Sequence, residues 1–170
     1  SGGGSPGGTS AYAGAPRQQV RVLRHPVRPR GVGPCVVLLH GGFWRSGWDR
    51  TQMTPLAHDL VARGLAVWNV DYRGTGADGG GWPTTLLDVA AALDHVSELV
   101  GVDDARVATC GHSAGGHLAL AVSFGVPGVE CPGAEGPAPR PAAVINYYGP
   151  TGSQRDEVVV IRKLLGEVTY

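Results

Sequence analysis

Apolar residues fall into two patterns along this chain, and each predicts a different element. Cys35-Val36-Val37-Leu38-Leu39 is apolar at every position and runs into glycines, as a strand buried on both faces does. Leu65 to Val70 and Ala142 to Tyr147 read as further strands, and Arg106 to Cys110 as a short one. Val20 and Val22 alternate with polar neighbours between Gln18 and His25, which predicts an early, half-exposed strand. The second pattern is helical. Between Thr51 and Arg63, the residues Met53, Leu56, Ala57, Leu60 and Val61 share one face, and Gly64 is placed to end the helix. Leu86, Val89, Ala90, Leu93 and Val96 form another stripe, which Pro83 suits as a first turn. Ala114 to Phe124, rich in alanine and leucine, predicts a third helix, and Asp156 to Leu165 a last one.

Strands alternating with helices predict an α/β fold: a mostly parallel sheet covered by helices on both faces. Ligands in such sheets bind beyond the carboxyl ends of the strands. Two glycine-bearing segments lie at such ends, one after Leu39 and one after Cys110, so the chemistry is expected there. A length of 170 residues suits one domain. Residues 1–10 read as a flexible lead-in and residues 11–170 as the domain.

Composition mainly excludes. Fourteen basic residues balance fourteen acidic ones with no basic cluster, which argues against nucleic acid or an anionic membrane surface as partner. No apolar run approaches the roughly 18 residues of a membrane-spanning helix. The first ten residues lack the basic and apolar regions of a signal peptide. Cys35, Cys110 and Cys131 fit neither a disulfide framework nor a zinc site, so no metal is expected and a reducing, cytoplasmic setting is the default. Nothing calls for a cofactor. Gly74-Thr75-Gly76-Ala77-Asp78-Gly79 fits G-x-G-x-x-G, but Gly80, Gly81, Trp82 and Pro83 intervene before the helix. A dinucleotide site needs the helix to open within the glycines, so this segment is read as a loop near the pocket mouth.

Gly111-His112-Ser113-Ala114-Gly115 lies between a predicted strand and a predicted helix, the setting that a G-x-S-x-G nucleophile turn requires. So sharp a turn needs small residues two before and two after the serine, and Gly111 and Gly115 meet that demand. Ser113 is then presented at a helix N-terminus, where free N–H groups favour an anion. His40-Gly41-Gly42-Phe43-Trp44, after the first buried strand, suits the other half of acyl chemistry. Backbone N–H donors at Gly41 or Gly42, with that of Ala114, would stabilise charge on a carbonyl oxygen, each worth about 3–4 kcal/mol of barrier. Phe43, Trp44, Trp48 and Trp82 either line a pocket or pack these loops.

From about Tyr12 onward, these motifs, with Asn69-Val70-Asp71-Tyr72-Arg73 at a strand end, resemble the α/β-hydrolase superfamily, in its esterase and kynurenine-formamidase-like branch. The resemblance implies a carboxylesterase-like serine hydrolase acting on a small-molecule acyl substrate, with Ser113 as nucleophile and Gly42, Ala114 and either Gly41 or Phe43 as oxyanion donors. It also implies a triad in the order serine, acid, histidine. No histidine follows His117, which is read as a packing residue one turn from Ser113, while His40 and His112 are read as local hydrogen-bonding or packing groups. Asp156 is read as a charge at a helix start. The expected fold is therefore an α/β-hydrolase truncated after about the sixth strand, lacking the triad acid and base and inactive as it stands. Arylformamidase, peptidase and non-catalytic binding functions remain open alternatives.

Overall fold

The computed structural model of the chain describes residues 7–11, 19–23, 33–98, 101–125 and 141–151. Six strands, β1 (Gly7–Ala11), β2 (Gln19–Leu23), β3 (Gly33–Leu39), β4 (Ala66–Val70), β5 (Val102–His112) and β6 (Ala143–Tyr147), form one sheet. Their spatial order is β1-β2-β4-β3-β5-β6. The run β4-β3-β5-β6 is parallel, with Leu39 opposite both Val70 and Gly111, and Gly111 opposite Asn146. β1 and β2 extend the sheet antiparallel beyond β4.

Strand alternation divides the apolar residues between two layers, as expected for a sheet covered on both faces. Cys35, Val37 and Leu39 of β3 and Trp68 and Val70 of β4 meet Leu86, Val89, Ala92 and Leu93 of helix α2 (Thr84–Asp94). Leu118 and Ala119 of helix α3 (Ala114–Phe124) join the same cluster. Leu38, Val67 and Cys110 face the other way, against Met53 and Ala57. Ala57 belongs to helix α1 (Thr54–Ala62), so α1 covers one face while α2 and α3 cover the other. The Trp68 indole is fully buried, and its N–H reaches the Ala92 carbonyl at 3.0 Å, which satisfies the one polar atom of that ring.

Several sequence expectations are corrected here. Gly7–Ala11 overlaps the segment read as a lead-in, yet it pairs with β2 from Gly7↔Leu23 to Ala11↔Gln19. β5 begins at Val102 rather than Arg106, because Val102 already pairs with Gly33, ahead of an irregular stretch that ends where Val107 meets Cys35. The helix expected from Thr51 starts as a 3-10 turn, Arg50–Met53, and becomes α-helical only at Thr54, ahead of Pro55. That turn is capped by Asp49, whose carboxylate accepts from the Thr51 N–H at 2.8 Å. The helix predicted over 156–165, His25 and Cys131 lie outside the described residues.

The ends of β3 and β4 are stitched together by their following loops. Thr75 N–H donates to the Trp44 carbonyl at 2.6 Å, and Ser46 N–H to the Thr75 carbonyl at 2.9 Å. Gly74 lies so close to the backbone of Arg45 and Ser46 that a Cβ would overlap it, which is the structural use of a glycine at that position. The loop is held from below by a buried carboxylate. Asp88 on α2 accepts from Arg73 N at 3.0 Å, Arg73 Nε at 2.9 Å and Arg73 Nη2 at 2.7 Å. Its side chain is 2 % exposed, so Arg73→Ala would strip a buried carboxylate of its guanidinium partner. That substitution is expected to lower unfolding free energy by about 3–5 kcal/mol, measured by urea denaturation. A loss below about 1 kcal/mol would show that the pair does not hold the loop.

Candidate active site

The turn between β5 and α3 is sterically demanding. Ser113 precedes α3 with φ 53° and ψ −118°, a left-handed conformation that L-residues rarely adopt. Its N–H donates to the Tyr147 carbonyl on β6 at 2.8 Å, and its carbonyl accepts from Gly116 N at 2.9 Å. Both peptide groups of the residue are thereby held. A Cβ on Gly111 would overlap the Gly115 carbonyl, and one on Gly115 would overlap the carbonyls of Leu39 and His40. The first turn of α3 therefore rests directly on the end of β3. Asn146 supports the far side, accepting from Gly149 N at 2.7 Å and donating to the Gly149 carbonyl at 3.1 Å.

The loop after β3 lies against this turn. A Cβ on Gly41 would stand 2.9 Å from His112 Nδ1 and 3.0 Å from the His112 carbonyl, so Gly41 touches the residue before Ser113. The two glycines of the loop are differently placed. The Gly41 N–H is committed to Gln52 Oε1 at 2.6 Å. The Gly41 carbonyl is bonded to His40 Nδ1 at 2.8 Å, and since a carbonyl only accepts, that nitrogen carries the proton. The Gly41 carbonyl and the Gly42 N–H belong to one trans peptide plane and point in opposite directions. Holding the carbonyl with His40 consequently turns the Gly42 N–H away from it. Gly42 has φ 116°, and the Trp48 ring occupies the space a Cβ would need.

His40 is itself locked. It is 1 % exposed and stacked on Tyr72 with ring centroids 4.2 Å apart, and the Tyr72 hydroxyl donates to its carbonyl at 2.6 Å. Its Nε2 lies 3.8 Å from Asp71 Oδ1. Asp71 also accepts from Arg50 N at 2.6 Å and forms an ion pair with the Arg50 guanidinium. Asn69 Nδ2 reaches the Arg50 carbonyl at 3.0 Å. Burial, with the Asp71 charge adding to it, pushes the Tyr72 phenol far above its ordinary value, so the group stays a neutral donor.

Of the remaining histidines, His117 packs edge-on to Trp44 at 5.4 Å, and burial lowers its pKa, favouring the neutral ring. His58 is exposed on α1, and His95 pairs with Glu98 beyond the end of α2. Trp44 thus packs its loop, whereas Phe43, Trp48 and Trp82 remain at least half exposed. Among the described residues no three His, Cys, Asp or Glu side chains converge as a metal ion would require. No described helix is long and apolar enough to cross a membrane. Sequence spacing missed Gln52, Asp71 and Arg50 as members of this region.

A four-stranded parallel core flanked by helices, with a strained serine turn abutting a Gly-Gly loop, defines an esterase-like protein of the α/β-hydrolase superfamily. The chain belongs to the BD-FAE family, which matches residues 23–157. It is 34% identical over 125 residues to the probable carboxylic ester hydrolase LipM of Mycobacterium tuberculosis, covering 70% of this chain and 28% of that protein. Carboxylesterase NlhH of the same organism is 36% identical over 119 residues, covering 68% of this chain and 36% of its own length. Among solved structures, a thermophilic esterase of Thermogutta terrifontis superposes with a TM-score of 0.73 at 23% identity, covering 95% of this chain and 62% of that one. The chain thus spans about a third of the curated relatives it matches and about three-fifths of that solved esterase.

Proposed function

We propose that this chain carries the nucleophile and the oxyanion site of a serine carboxylesterase. The observation that carries the reading is the left-handed Ser113 at a turn whose glycines touch backbone on both sides, abutted by the Gly41-Gly42 loop. Backbone strain of this kind persists only where surrounding structure enforces it, and it concentrates at reacting groups. The strand–turn–helix context and the kinship with carboxylic ester hydrolases both support the assignment.

In this reading Ser113 Oγ attacks the carbonyl carbon of an ester while a general base removes its proton. The carbonyl electron pair moves onto oxygen, and the N–H groups of Gly42 and Ala114 bind the resulting anion. Collapse of the tetrahedral species expels the alcohol and leaves an acyl group on Ser113, which water then removes. Gly41 does not serve as a donor here, because its N–H is already given to Gln52. Its lack of a side chain instead admits His112. Among the described histidines, His40 is committed to the loop, His58 is exposed on α1 and His95 is paired with Glu98, so none of these three is offered as the base. His112 and His117 flank Ser113 within one rigid turn.

A fluorophosphonate probe tests the assignment. The intact protein should become labelled at Ser113, located by peptide mass analysis, and should lose p-nitrophenyl acetate turnover in proportion. Residues 1–170 alone should turn the ester over negligibly. Labelling elsewhere, or undiminished turnover by a fully labelled protein, would remove the hydrolytic role from Ser113.

A further inference from the structure

We infer that Gln52 is a positioning residue for the oxyanion site, holding the Gly41-Gly42 loop in register by accepting the Gly41 N–H; the inference rests on the role proposed for Ser113 and Gly42. Gly41 is buried, flanked by another glycine, and has no side chain of its own to fix its backbone. Its peptide groups are nevertheless held from both sides. His40 Nδ1 takes the carbonyl at 2.8 Å, and Gln52 Oε1 takes the N–H at 2.6 Å. Together these bonds fix both peptide planes that meet at Gly41, and hence the plane that carries the Gly42 N–H.

Gln52 can do this because its own backbone is anchored independently of the loop. It sits in the 3-10 turn Arg50–Met53, whose first residue is bound to the end of β4 through Asp71 and Asn69. Met53, the next residue, is buried against Leu38, Val67 and Cys110. The turn is thus tied to two strands, and the amide of Gln52 transmits that rigidity across to the loop beyond β3. A donor fixed before the reaction stabilises developing charge without reorganising, so a loosened Gly41 should weaken the anion more than it weakens ester binding.

Gln52→Met keeps side-chain length and removes the acceptor. Two readouts are needed, both on the intact protein. The first is hydrogen exchange at the Gly41 amide by NMR, which should accelerate by about tenfold, the worth of one net hydrogen bond. The second is ester kinetics per site titrated with the fluorophosphonate, where kcat should fall about tenfold with KM nearly unchanged. Exchange that does not accelerate overturns the inference, because Gln52 is then not what holds Gly41. Faster exchange with kcat per site unchanged also overturns it, as does a change confined to KM. Ser113→Ala in the same assay separates the two claims. If that variant is inactive while Gln52→Met behaves as the parent, only the positioning role fails; if it keeps full turnover, the proposed function itself has failed.

Discussion

Ser113→Ala in the intact protein is expected to reduce ester turnover by on the order of 10⁴-fold or more, while Ser113→Gly should do the same and also stabilise the fold. The second half of that expectation separates a functional serine from a structural one. With φ 53°, Ser113 holds a backbone conformation that costs a residue with a Cβ about 1–3 kcal/mol. Glycine removes that cost, although its freer unfolded chain gives back about 0.5–1 kcal/mol. The net gain should be about 1 kcal/mol, read as a higher urea midpoint with unchanged slope. Alanine keeps the Cβ and the strain, so its stability should match the parent's. A glycine variant less stable than the parent would mean that the serine side chain contributes to the fold, and the strain argument would fall.

Legibility in the sequence followed how local each determinant is. The turn at Ser113 was readable because its serine and both small residues lie within five consecutive positions between an apolar strand and an alanine-rich helix. The apolar runs of β3 and β4 were readable for the same reason: their burial is written into the chain position by position. β1 was not, because Gly7–Ala11 has no alternation of its own, and its pairing depends on Gln19–Leu23. The first residues of β5 were hidden by Asp103 and Asp104, which lie in an irregular stretch between the pairs Gly33↔Val102 and Cys35↔Val107. The loop contacts were the least legible. Asp71 stands in a segment that drew notice, yet its role requires Arg50 beside it, and that depends on β4 lying next to β3. The bond from Gly41 to Gln52 spans eleven residues and obeys no helical or strand spacing.

Gly115→Ala is expected to cost more than about 3 kcal/mol of stability, and the reason is the nature of what its Cβ would meet. The overlapping atoms are the carbonyls of Leu39 and His40, part of the backbone where β3 ends. A flexible side chain could rotate away, but a strand fixed between β4 and β5 cannot. Relief would require α3 to lift from the sheet, which would open the contacts of Leu118 and Ala119 with the core. Gly111→Ala should fare similarly, since its Cβ would meet the carbonyl of Gly115. Gly33→Ala is the control: nothing lies within 4 Å of the added carbon, and the change should stay within about 0.5 kcal/mol. Urea midpoints of the three variants decide the matter. If Gly115→Ala and Gly33→Ala lose equal stability, then α3 is not seated on β3, and the close approach that would bring the amide of Ala114 toward the loop at Gly42 is lost with it.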